Sequence, residues 1–197
     1  MNVGSVERST KETSIRLELG PAGRIATKIS TPVGFLDHML DTIARHAGIG
    51  LSVEAKGDVH IDFHHTVEDT GLAFGEALEK SLGDKRGIRR FGHAYVPLDE
   101  ALARVVVDLS GRPYFAWEVP FDREMLLVTP DFPFALVEEF FKSVAFRGRL
   151  NLHAALLSGR NGHHAAEAIT KAFARALREA TAPSGDAEIA STKGTLV

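Results

Sequence analysis

The chain has 197 residues, 44% hydrophobic and 25% charged, with a net charge of -3 and no cysteine. That length and apolar content suffice for a sizeable core in one large or two small domains. The mildly acidic balance offers no basic footprint for nucleic acid, the lack of cysteine excludes disulfides and thiolate metal sites, and no stretch approaches the roughly 18 apolar residues that a membrane span needs. Met1 to Ser14 is polar and carries no apolar leader core, so a cytoplasmic protein is expected.

Two alternating runs, Ser14 to Leu19 and Arg24 to Ile29, flank Gly20-Pro21-Ala22-Gly23 and read as a hairpin. A helix follows from Phe35 to Ala47, with Phe35, Leu36, Met39, Leu40 and Ile43 at helical spacing and Gly48 placed to stop it. Strand-like segments at Gly50 to Ala55 and Val59 to Phe63 lead into a helix from His65 to Leu82, which ends at Gly83. The order is ββαββα. From Ala94 onward the pattern returns: strands at Leu102 to Leu109 and Pro113 to Val119, a helix at Phe134 to Ala145, a strand region at Leu150 to Leu157, and a helix from His164 to Ala180.

The two parts share more than order. His64-His65-x-x-Glu68 and His163-His164-x-x-Glu167 are offset by 99 residues, and Ala73-Phe74-x-x-Ala77-Leu78 and Ala172-Phe173-x-x-Ala176-Leu177 have the same offset. One offset across two motifs points to internal duplication. Each half is too small to cover both faces of its own sheet, so its helices must pack against those of the other half. The expectation is an α+β fold: duplicated ββαββα halves, residues 1–92 and 93–181, with helices between two mixed four-stranded sheets and a tail at 182–197.

A histidine pair at a helix start is often only a cap or a surface feature. Here His64, His65 and Glu68 share one helix face, as do His163, His164 and Glu167, and neutral imidazole with carboxylate suits divalent manganese, iron or zinc. The helix at the same place in each half offers further donors, His38 in one and Glu139 in the other; a solvated carboxylate is the plainer reading of Glu139. His46 lies two turns beyond His38 and can line the same pocket. His60, His93 and His153 read as structural or surface residues.

The runs GFLDHML (Gly34 to Leu40), DVHIDFHHTVED (Asp58 to Asp69), RRFGHAYVPLDEAL (Arg89 to Leu102), DLSGRPY (Asp108 to Tyr114), GRNGHHAAEA (Gly159 to Ala168), KAFARALREA (Lys171 to Ala180) and STKG (Ser191 to Gly194) closely resemble the imidazoleglycerol-phosphate dehydratase family, in its monofunctional form. The resemblance implies a histidine-biosynthetic lyase that dehydrates a phosphorylated imidazole substrate, imidazole glycerol phosphate, with two manganese ions per site. It implies metal ligands at His38, His64, His65, Glu68, Glu139, His163, His164 and Glu167. Position 139 departs from the pattern, since histidine is common there in the family; a carboxylate is at least as good a donor to Mn2+. The resemblance also places Glu12 as proton carrier, with a metal-bound water or His46 competing, and a phosphate clamp at Arg90, Arg112, Lys171, Ser191, Thr192 and Lys193. Finally, it implies a homo-oligomer, a 24-mer assembled from trimers.

The chemistry accounts for a paired ligand set. The proton lost on dehydration is not activated by a carbonyl, so stabilising charge on the imidazole ring, through its two opposed nitrogens, is the route left open. Grouping the ligands by pseudosymmetry gives His38, His65, Glu68 and His163 for one metal and Glu139, His164, Glu167 and His64 for the other, with swapped partners also open. Two rival functions remain at this level, a dinuclear metallohydrolase and a metal-binding protein without catalysis.

Overall fold

The computed structural model describes residues 1–120, 126–185 and 187–196. In chain order the elements are β1 (Gly4–Ser9), β2 (Thr13–Pro21), β3 (Lys28–Ser30), α1 (Gly34–Ala47), β4 (Ile49–Gly57), α2 (His64–Leu82), β5 (Phe91–Leu98), β6 (Ala101–Asp108), β7 (Tyr114–Glu118), β8 (Leu127–Thr129), β9 (Phe132–Pro133), α3 (Ala135–Arg147), β10 (Asn151–Ser158) and α4 (Gly162–Thr181). The first sheet runs β1-β2-β4-β3 and the second β5-β6-β10-β7. In both, the first three strands pair antiparallel and the fourth, β3 or β7, lies parallel to its neighbour. The duplication is thus visible in topology as well as in motif.

Helix α2 packs on β1 and β2, α4 packs on β5 and β6, and the helices meet as the pairs α1 with α4 and α2 with α3. The α+β architecture with helices between two mixed four-stranded sheets is the one expected. Its strand order differs. Each half reads βββαβα, with the small β8–β9 ribbon added to the second.

Three corrections account for that difference. The expected hairpin of Ser14 to Leu19 with Arg24 to Ile29 does not form: β2 pairs with β1 and β4, while the second run contributes only β3, parallel to β4. The segment Val59 to Phe63 is a turn, in which the Ile61 N–H donates to Asp58 O at 2.8 Å, rather than a strand. Strand β1 supplies the remaining strand of the first sheet and β5 that of the second; neither has a clear signature, because β1 has one large apolar side chain facing inward, Val6, and β5 is apolar on both faces.

Glycine sets the closeness of the helix and strand contacts. A Cβ on Gly71 would sit 2.8 Å from Phe140 O, and one on Gly75 would sit 2.6 Å from Gly148 N, so α2 and α3 touch backbone to backbone. Gly4 and Gly92 play matching parts on β1 and β5, where an added Cβ would collide with Ala77 O and Ala176 O. In the core, Phe74, Phe140, Phe141 and Phe173 are fully buried and pack ring against ring, with centroids 5.1 to 6.5 Å apart. Burying each such side chain is worth about 1.5–3 kcal/mol, which locks the helix layer that carries the site.

Candidate metal centre

The pairing of α1 with α4 and of α2 with α3 decides which donors meet. His38 on α1 joins His163 and Glu167 on α4, and Glu139 on α3 joins His64 and Glu68 on α2; in each group the donor atoms lie within 4.8 Å of one another. In the first, Glu167 Oε1 is 3.2 Å from His38 Nε2 and 2.9 Å from His163 Nε2. The His38 and His163 rings stack at 6.3 Å, with Phe35 against both. In the second, His64 Nε2 is 3.7 Å from Glu68 Oε2, and Lys142 Nζ lies 3.3 Å from Glu139.

Both histidine pairs open their helices in the same way. The Asp62 carboxylate accepts from the His64 N–H at 2.8 Å, and the Asn161 side chain accepts from the N–H groups of His163 and His164 at 2.9 and 3.2 Å. Such a side chain satisfies donors that a first helical turn leaves bare.

The second histidine of each pair departs from the grouping expected from sequence. His65 Nδ1 lies 3.0 Å from Asp58 Oδ2 with its Nε2 3.9 Å from Glu12, and His164 Nδ1 lies 2.7 Å from Glu100 Oε2 with its Nε2 3.6 Å from Asp99. Within one chain, therefore, Glu68 sits with His64 and Glu139, not with His38 and His163. The carboxylate bonds raise both rings above the ordinary imidazole value, Asp58 for His65 and Glu100 for His164. Glu100, bonded to His164 and to the Asn161 N–H, is held down to about 2. Sequence reasoning does not single out Asp58, Asp62, Glu100 or Asn161; their traces are the runs DVHIDFHH, RRFGHAYVPLDEAL and GRNGHHAAEA that contain them.

Lys171 Nζ reaches Glu167 Oε2 at 2.5 Å, one turn along α4. Burial works against the Glu167 carboxylate, but Lys171 and the two imidazoles outweigh it and hold the carboxyl down to about 2. His46, half-buried, is pushed below the ordinary imidazole value by burial and by the nearby cations of Lys171 and Arg175. Glu12 is exposed in the turn between β1 and β2.

The remaining clamp residues are spread. Arg90 is half-buried, forks onto Asp108 at 2.7 and 3.0 Å, donates to Ala190 O at 2.7 Å and lies over the Phe91 ring at 4.6 Å. It ties the tail down. Ser191 is half-buried and its Oγ accepts from the Lys193 N–H at 3.2 Å, while Thr192, Lys193 and Arg112 are exposed. Of the histidines read as structural, His93 Nδ1 lies 3.4 Å from Glu179, His153 stacks near Tyr114 at 5.5 Å, and His60 is exposed.

A duplicated α+β fold with mirrored histidine and carboxylate clusters at its helix starts defines a protein with a candidate metal centre. Comparison with known proteins narrows this. The family model for imidazoleglycerol-phosphate dehydratase matches residues 31–177. The chain is 53% identical over 194 residues to the imidazoleglycerol-phosphate dehydratase of Gluconacetobacter diazotrophicus, covering 98% of this chain and 96% of that protein, and 47% identical over 197 residues to that of Lacticaseibacillus casei, covering 100% of each. Among solved structures, the dehydratase from Staphylococcus aureus subsp. aureus N315 matches with a TM-score of 0.81 and 39% identity, covering 92% of this chain and 99% of that one. The Pyrococcus furiosus enzyme in complex with (S)-C348 matches with a TM-score of 0.80 and 38% identity, covering 97% and 100%. The chain belongs to the imidazoleglycerol-phosphate dehydratase family, dehydratases of histidine biosynthesis that act on a small phosphorylated substrate.

Proposed function

We propose that the chain converts imidazole glycerol phosphate to imidazole acetol phosphate and water at a centre built for two manganese ions. The observation that carries this reading is the pair of clusters, His38 with His163 and Glu167, and His64 with Glu68 and Glu139. Their donors fit the group: imidazole and carboxylate are what divalent manganese accepts, and three from one chain leave positions free for others. When bound, the metals would supply Lewis acidity to the two nitrogens of the substrate ring.

The chain's own residues would do the rest. Glu12, exposed on its turn and 3.9 Å from His65, would carry the proton lost from substrate carbon, with His46 as the alternative carrier. Glu68 and Glu167, the carboxylates of the two repeated motifs, would take part as metal ligands beside the reacting atoms. Lys171, already beside Glu167, would give its cation to the substrate phosphate, joined by Arg112, Ser191, Thr192 and Lys193. Arg90, engaged with Asp108 and Ala190, would serve the same clamp by holding the tail in reach.

His65 and His164 suggest where further donors come from. Neither belongs to its own chain's three-donor groups, so neighbouring copies would complete each site, in keeping with a homo-oligomer of 24 subunits built from trimers. The outer face of the second sheet supports assembly too, since Phe91, Tyr95, Val106 and Tyr114 are exposed there. No helix among the described residues is long and apolar enough to cross a membrane, and a cytoplasmic location suits a biosynthetic enzyme.

The test is an assay of purified protein with imidazole glycerol phosphate and Mn2+, following both ketone product and free phosphate. Ketone formed with the phosphate retained is the expected result. Release of inorganic phosphate would instead mark a metallohydrolase, and metal binding without turnover a binding protein.

A further inference from the structure

The turns that join β1 to β2 and β5 to β6 are equivalents in the duplication. Ser9 pairs with Ser14 in one and Pro97 with Leu102 in the other, so Lys11-Glu12 and Asp99-Glu100 are matching two-residue turns. The match is supported by Gly4 and Gly92, which precede them at the same distance along their strands and abut Ala77 and Ala176 alike. Glu12 and Glu100 therefore descend from one position, and each faces the second histidine of its half. They face it differently.

Glu12 sits on the Nε2 side of His65 at 3.9 Å, because the Nδ1 side is taken by Asp58 at 3.0 and 3.2 Å. Asp58 belongs to a loop of six residues between β4 and α2; the corresponding loop between β10 and α4 has three, Gly159 to Asn161, and no acid. In the second half, then, nothing from the loop can serve the Nδ1 of His164. Glu100 reaches it instead, with Oε2 at 2.7 Å, while its Oε1 accepts from the Asn161 and Arg160 N–H groups at 2.9 and 3.3 Å. The carboxylate is itself braced. A neutral imidazole whose Nδ1–H donates to a carboxylate holds its one proton on Nδ1 and its ring in one orientation, and such outer partners tune metal ligands strongly.

We propose that Glu100 is a positioning residue: it fixes His164 with its proton on Nδ1 and its Nε2 free to bind metal, the task Asp58 performs for His65. The duplicated turn acid has thus divided its work, with Glu12 left free for substrate and Glu100 committed to a ligand. This inference rests on the two-metal reading above, and its test separates the two.

The variants are Glu100→Gln, whose amide oxygen can still accept from Arg160 and Asn161, and Glu12→Gln as the matched control; unchanged circular dichroism establishes folding. In chelator-treated protein, at a pH basic enough to leave the ring neutral, ring nitrogen NMR reads the tautomer of His164 directly. The wild type should show Nδ1–H, and Glu100→Gln should move population to Nε2–H. Titration of Mn2+ followed by electron paramagnetic resonance should then show affinity about 10–100-fold weaker at one class of site in Glu100→Gln and unchanged in Glu12→Gln. A wild type that binds no Mn2+ would sink the two-metal reading, and the tautomer result would still judge Glu100. Two bound Mn2+ in the wild type, with either tautomer or affinity unchanged in Glu100→Gln, would overturn the inference.

Discussion

Phe74 and Phe173, 99 residues apart and equivalent in the two halves, meet ring to ring with centroids 6.5 Å apart in the helix layer. Both are fully buried, and each touches an aromatic of α3, Phe140 for one and Phe141 for the other. Replacing either by alanine should cost about 3–5 kcal/mol, and the double replacement should cost less than the two together because they share one cavity. Denaturant unfolding of the two single variants and the double one measures this; strict additivity would show that the halves do not meet through this pair.

Glu139 fills on α3 the place that His38 fills on α1. On the two-manganese proposal, Glu139→Ala should reduce bound Mn2+ from two to one per chain, with His64 and Glu68 left as an incomplete pair. Glu139→His should keep both ions and shift preference toward Zn2+, the softer ion. Metal analysis after dialysis against each ion checks both statements.

Glu76 links α2 to α3, with Lys80 at 2.9 Å and Arg147 at 2.6 Å. The hydrogen bond from Lys80, with Arg147 behind it, holds its carboxyl below the ordinary value of 4.5 despite some burial. A carboxyl depressed by folding contributes stability above its unfolded value and loses it as pH falls through the folded one. Glu76→Gln should therefore cost at most about 1 kcal/mol at neutral pH and nothing once pH is well below 4.5. Chelator-treated protein melted across that acid range should show the two curves converging.

Arg90→Lys removes the fork that grips Asp108 and the donor that holds Ala190 O. An ammonium cannot replace a bidentate guanidinium, so hydrogen exchange in residues 187–196 should rise about tenfold or more, in line with losing roughly 1.5–3 kcal/mol of charged hydrogen bonding. Exchange mass spectrometry on the intact protein reads it.

Removing metal with a chelator should lower the melting temperature and shrink the particle, if His65 and His164 of neighbouring copies complete the clusters. At free Mn2+ of 100 times the dissociation constant the bound form gains about 2.7 kcal/mol. Light scattering during chelation and on re-addition of Mn2+ follows the size; a particle of constant size would separate assembly from metal binding.

The helices and their ligands were legible because helical periodicity and the stop glycines Gly48 and Gly83 mark them within a short window. Equal offsets then exposed the duplication. Strands were harder to read. Val59, Ile61 and Phe63 alternate as a strand would, yet Ile61 is exposed and the segment turns; β5 carries Phe91 and Tyr95 on one face and Ala94 and Val96 on the other, which hides its period. The partner of His164 was illegible for another reason: Glu100 and His164 are 64 residues apart, and only the paired turn and the shortened loop bring them together.

Lys171 and Lys142 are not equivalents. The position 99 residues before Lys171 is Leu72, so the two clusters carry their ammonium groups differently: Lys171 lies 2.5 Å from Glu167 and is the more buried, while Lys142 lies 3.3 Å from Glu139 and is the more exposed. A cavity with two interchangeable ends would accept an elongated molecule either way round, and half of all encounters would be sterile. Where one cluster of each kind bounds a site, cations set unequally at its two ends would give that almost twofold receptacle a head and a tail, so that a guest with an anion at one extremity enters facing a single direction.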